Sequence, residues 1–251
     1  MESYVALAYL QYNFGQSDKP LFACEQAIRL GKKLVDDNPT NSKFQDKVAQ
    51  SYFTQAMVQC NLQQNQNAIK SLKIAVAIQE KLSRDNPAVT SFRHHQGKYL
   101  WSLGNLQCDS QLSDEGLESG QVARDILKEL INKDPSQKQI LPDLASSHLV
   151  VGKAFRQKGQ RAEALSAFRE SIPVFETVAQ EDPGIKEYNR ACYLVLCTTV
   201  IGDQKKGLTP EEKAQRTKYA GEAMAALRQA VAAGYANANE MNEDPRPELA
   251  S

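Results

Sequence analysis

The sequence predicts an all-α protein built as an array of about five antiparallel helix pairs with a 48-residue period. An Asn-Pro or Asp-Pro pair closes four segments, LGKKLVDDNP, IQEKLSRDNP, ILKELINKDP and VFETVAQEDP. Their prolines, Pro39, Pro87, Pro135 and Pro183, step by 48 residues each time. Other positions keep the same step. Ala27, Ala75, Ala123 and Ser171 are all small, as are Ala8, Ala56, Gly104 and Gly152, while Leu34, Leu82, Leu130 and Val178 are all aliphatic. Between the prolines, apolar residues recur at helical spacing in two runs, with none of the strict alternation of a half-buried strand.

Each element follows from a local signal. The residue before a proline is pushed out of the α region, so a helix is expected to end at each Asx, with the next starting just beyond it. Polar breaks at Gln63 to Asn67, Asp109 to Asp114 and Lys158 to Gln160 divide each unit into two helices. The expected pairs span about 3–35, 41–85, 88–133, 137–181 and 184–233, a single array over 1–251 with an irregular tail from 234 to 251. The last pair has a longer connection, Gly202 to Thr209. There Thr209 is expected as N-cap, Pro210 in the first turn and Gly234 as a left-handed C-cap. The first helix carries Tyr4, Val5, Leu7, Tyr9, Leu10, Tyr12 and Phe14, apolar nearly all round. Terminal repeats normally bear a polar outer face, so this helix is expected to be covered, by an upstream neighbour in a longer protein or by self-association.

Helices approach closely only where the contact carries small side chains, with larger neighbours filling the flanking holes. The second helices show that order: Ala68, Leu72, Ala75; Ala164, Phe168, Ser171; Ala223, Leu227, Ala230. At these residues, and at HLVVGKAFRQKGQRAEALSAFRES from His148 to Ser171, the chain resembles the tetratricopeptide (TPR) family. The resemblance implies a right-handed superhelical array that acts by binding protein. The family's usual period is about 34, so both helices here are expected to be longer. A narrower resemblance rests on the Asx-Pro ends, on YNRACYLVLC at Tyr188 to Cys197 and on LRQAVAAGY at Leu227 to Tyr235 with Asp244-Pro245 beyond. These look like the C-terminal repeat region of planctomycete-type bacterial serine/threonine protein kinases, which implies a regulatory or docking tail. The chain itself has no glycine-rich nucleotide loop, no His-Arg-Asp loop and no Asp-Phe-Gly, so kinase activity is not expected of it.

Composition narrows the chemistry. Lys plus Arg and Asp plus Glu both number 30, leaving no net field for nucleic acid or an anionic membrane surface. The longest uncharged apolar run, Ala191 to Gly202, is shorter than the roughly 20 residues of a membrane-spanning helix. No secretory signal opens the chain, and a soluble, cytoplasmic protein is the expectation. Five cysteines, Cys24, Cys60, Cys108, Cys192 and Cys197, have no C-x-x-C spacing and read as core residues. His94 and His95 are adjacent, which points them about 100° apart on a helix and makes them poor partners for one metal. His148 occupies a register held by Tyr4, Tyr52 and Leu100 and reads as core. No catalytic, cofactor-binding or metal-binding residue is assigned.

The TPR register places Phe53, Asn61, Lys98, Trp101, Asn105, Lys153 and Arg156 on the side expected to line a concave groove. Asn can pair with peptide backbone while Lys and Arg hold a charge, so this surface suits an extended peptide with carboxylate character. The partner's identity is not encoded.

Overall fold

The computed structural model describes residues 19–178, 183–201 and 207–235. Among these residues it is all-α. The helices are α1 (Lys19–Asp37), α2 (Ser42–Asn61), α3 (Asn65–Asp85), α4 (Thr90–Asp109), α5 (Ser113–Lys133), α6 (Leu141–Gln157), α7 (Arg161–Val178), α8 (Pro183–Val200) and α9 (Pro210–Ala232). A single 3-10 turn, Lys138–Ile140, leads into α6. The apolar segment from Tyr4 to Phe14, and the tail beyond Tyr235, lie outside the described residues.

The Asx-Pro signal works through a side chain as well as through proline. Asn38 Nδ2 donates to the Leu34 carbonyl at 3.1 Å, and Asn86 Nδ2 donates to the Leu82 carbonyl at 3.0 Å, so each amide satisfies a carbonyl in the last turn of its helix. Asp134 has no amide to donate and turns the other way. Its carboxylate accepts from Ser136 N and Oγ and from Gln137 Nε2, shaping the turn ahead of α6.

The turns inside the pairs are also periodic. Gln63 (φ 58°), Gln111 (φ 62°) and Gly159 (φ 72°) are left-handed and stand 48 residues apart. Beyond each, an amide reaches back five residues: Gln64 to Gln59 at 2.8 Å, Leu112 to Gln107 at 2.8 Å, Gln160 to Phe155 at 2.9 Å. This is the Schellman closure, and Gly234 (φ 93°) repeats it with Tyr235 N bonded to the Ala230 carbonyl at 3.0 Å. At the other end of α9, Thr209 forms a capping box with Glu212, followed by Pro210.

The chain divides into two compact units, Met1–Leu130 and Ile131–Ser251. In the first, Ala56, Ala68, Leu72 and Ala75 are fully buried between α2 and α3, and Ala123 and Leu127 are fully buried on α5. Burying a side chain such as Leu72 is worth roughly 1.5–3 kcal/mol. Two polar bonds key the helix pairs: Ser71 Oγ donates to Gln59 Oε1 at 2.8 Å, and its equivalent 48 residues on, Ser119 Oγ, donates to Gln107 Oε1 at 2.7 Å. In the second unit Phe168 packs directly onto Gly152, and Phe175 stacks on Tyr193 with ring centroids 4.5 Å apart. Ala164, Ser171, Cys197 and Val200 are fully buried around them.

Candidate peptide-binding face

The first unit gathers one aromatic and charged group on α2 and α4. Phe53 and Trp101 occupy one register, each three residues before a small contact residue, Ala56 or Gly104, which turns both to the same side of their helices. Phe53 is buried at 9% exposure and stacks on Tyr99 of α4, centroids 4.5 Å apart. Lys98 Nζ stands 5.6 Å above the Phe53 ring, within cation–π range. Phe53 is therefore the floor on which Lys98 rests, and it offers little ring surface to a partner. Lys98, Trp101 and Asn105 follow at i, i+3 and i+7 and share one face of α4. Trp101 and Asn105 are half-buried, and Asn105 Nδ2 donates to Asp109 Oδ2 at 3.3 Å. Asn61 is exposed in the last turn of α2.

Next to this group lies a polar cluster built from three successive helices. Asp46 Oδ1 of α2 accepts from Gln79 Nε2 of α3 at 2.5 Å and lies 3.1 Å from His95 Nδ1 of α4, while Asp46 Oδ2 accepts from Gln50 Nε2 at 2.8 Å. Burial pushes the Asp46 carboxyl up, but the hydrogen bonds from His95 and Gln79 and the charges of His95 and Lys47 outweigh it and hold the carboxyl below its usual range. His95 in turn stacks on Tyr99, 5.9 Å between centroids. Tyr99 is 2% exposed and ties the cluster to Phe53. The register of Tyr99 holds Ser51 and Ser147 in the neighbouring repeats, so the repeat pattern does not mark it as aromatic.

Lys153 and Arg156 lie on α6, in the second unit. Both are half-buried, and Arg156 Nη1 donates to Thr199 Oγ1 of α8 at 3.2 Å. His148 is buried, with Nδ1 3.4 Å from Glu170 Oε2.

Burial pushes the Cys24 thiol up to about 12 and those of Cys60 and Cys197 to about 11, so none is a thiolate nucleophile at neutral pH. Among the described residues no three His, Cys, Asp or Glu side chains are grouped to hold a metal, and no helix is long and apolar enough to cross a membrane.

The family model for anaphase-promoting complex subunit 5 matches residues 2–41 and 37–95. Two crystal structures of nearly identical TPR-like repeats, from a Podosopora anserina protein assigned as a kinesin light chain, align along most of the chain. One, a point variant of that protein, covers 92% of this chain and 93% of its own at 16% identity and a TM-score of 0.60. The other covers 93% and 94% at 16% identity and a TM-score of 0.58. The fold is TPR-like. No curated protein matches the sequence. The TPR-like helix pairs thus agree with the all-α repeat expected from the sequence, and at this identity the likeness speaks to fold alone.

Proposed function

We propose that this chain is a protein-binding module that recognises an extended peptide with carboxylate character through Lys98, Trp101, Asn105 and Asn61 on α2 and α4. One observation carries the reading. The Lys98 ammonium sits on a buried Phe53–Tyr99 stack beside Trp101 and Asn105, so a charge, an aromatic surface and an amide are held on one helix face. Such a set suits a peptide, with the lysine meeting a carboxylate, the amide meeting backbone and the indole meeting an apolar side chain. A pull-down comparing the intact chain with a Lys98→Glu, Trp101→Ala double variant tests it. Capture is expected to be lost. Unchanged capture by a variant with native circular dichroism would overturn the reading.

A narrower reading, that the module is the docking or regulatory region of a bacterial serine/threonine protein kinase, draws on the two segments that carry that resemblance. Tyr188 of YNRACYLVLC stacks on Tyr235 of LRQAVAAGY, centroids 4.6 Å apart, and Cys192 and Ala230 are buried with them. The expected outcome is a kinase domain encoded upstream in the same gene, with no ATP turnover by the present chain. A gene that encodes no kinase motifs upstream sinks this reading and leaves the peptide-binding one standing.

A further inference from the structure

On the other side of the first unit's repeat from Lys98 and Trp101, α1 and α3 flank α2. An open cleft of about 480 Å³ runs between these helices. Its floor is aliphatic, with Val35, Val48, Ile74 and Ile78, and Tyr52 forms one wall. The polar lining is Lys32 and Asp36 on α1, Gln45 on α2 and Lys81 on α3, so two ammonium groups stand against one carboxylate. Lys32 Nζ is 5.6 Å above the Tyr52 ring, and Lys81 is exposed and pairs only at the surface, with Asp85 at 3.0 Å.

The next repeat is an internal control. Forty-eight residues on, Val35 and Val48 become Ser83 and Gln96, and Ser83 Oγ donates to Gln96 Oε1 at 2.8 Å across the equivalent space. Gln45 and Lys81 become Arg93 and Glu129, which pair at 3.2 Å over it. That repeat closes the gap with its own side chains. The first repeat replaces the closing bond with two valines and the closing ion pair with a lysine and a glutamine. An apolar space whose polar rim carries a net positive charge, Lys32 and Lys81 against Asp36, is left for something else to fill.

We infer that this cleft docks an acidic peptide segment, which inserts large apolar side chains between α1 and α3 and sets its carboxylates against Lys32 and Lys81. The volume accommodates a pair of large side chains, the floor has almost nothing to hydrogen-bond, and the rim charge selects the sign of the partner. An open trough with polarity only at its edges suits a chain lying along it better than an enclosed small molecule.

Panning a random-peptide phage library on the intact chain, with counter-selection on a Lys32→Glu, Lys81→Glu variant, tests this. Peptides combining Asp or Glu with large aliphatic or aromatic residues are expected to be enriched, and the synthetic peptide to bind the variant about tenfold or more weakly. A Val35→Ser, Val48→Gln variant, which copies the closing bond of the next repeat, is expected to lose binding while keeping native circular dichroism. Loss with these two variants but not with Lys98→Glu, Trp101→Ala separates the cleft from the α2 and α4 face. No enrichment over the charge-reversed chain, or enrichment without acidic residues, overturns the inference. So does sedimentation showing that the wild type self-associates and the charge-reversed chain does not, which would assign the cleft to a second copy.

Discussion

Gly152 sits where the Phe168 ring leaves no room for a β-carbon. Gly152→Ala is expected to destabilise the protein by about 1–3 kcal/mol, read as a lower urea midpoint, because a stiff buried ring cannot yield as a flexible side chain can. Asp46 gives a pH-dependent counterpart. Its folded carboxyl is held below the ordinary value of about 3.9, so its contribution is full above that value and is lost as pH falls through the folded value. The stability gap between wild type and Asp46→Asn is therefore expected to shrink as pH falls below about 4, in urea titrations at each pH. Residue-scale packing was legible where it repeats: Ala27, Ala75, Ala123 and Ser171 are all at 0% exposure. Interactions made once were not. Nothing in the spacing of Asp46, Gln79 and His95 announces that they meet, because the contact crosses three helices and has no equivalent in the other repeats.

At the scale of elements, the left-handed turn residues make the clearest experiment. Gln63 and Gln111 bear a β-carbon in a conformation that glycine adopts freely, and Gly159 already holds the equivalent place. Gln63→Gly and Gln111→Gly are each expected to stabilise by about 0.5–1 kcal/mol, and Gly159→Gln to destabilise by a similar amount, by the shift in urea midpoint. Helix ends were legible because proline, Asx and glycine act locally. The cleft between α1 and α3 was not, although its signal was present: Val35 and Val48 against Ser83 and Gln96 in one register show two repeats built for different surroundings. The candidate face was legible only in part. Register alone finds Lys98 and Trp101 on one side of α4, but that Phe53 is a buried support for Lys98 depends on Tyr99 stacking from the neighbouring helix.

For the whole molecule, the thiols report on folding. With Cys24 at about 12 and Cys60 and Cys197 at about 11, alkylation by iodoacetamide at pH 8 is expected to be negligible in the native protein and rapid in denaturant. Mass spectrometry of pulse-labelled samples then shows whether Cys24 and Cys60, in the first unit, become reactive at the same urea concentration as Cys197 in the second. The recurring Schellman turn has a consequence of another kind, for how such a chain gains and loses length. Excising residues 64–111 joins Gln63 to Leu112, whose amide would then reach the Gln59 carbonyl as Gln64 does now. Ser119 would meet Gln59 in place of Gln107, and Gly116 would lie against Cys60 in place of Cys108. The joint restores a helix end and hands Leu112, Ser119 and Gly116 a partner of the same chemistry, while Asp46 loses both Gln79 and His95. The shortened chain is therefore expected to remain helical by circular dichroism, with a lower melting temperature. An in-frame recombination between two such turns edits the protein by whole pages and leaves the sentences on either side intact.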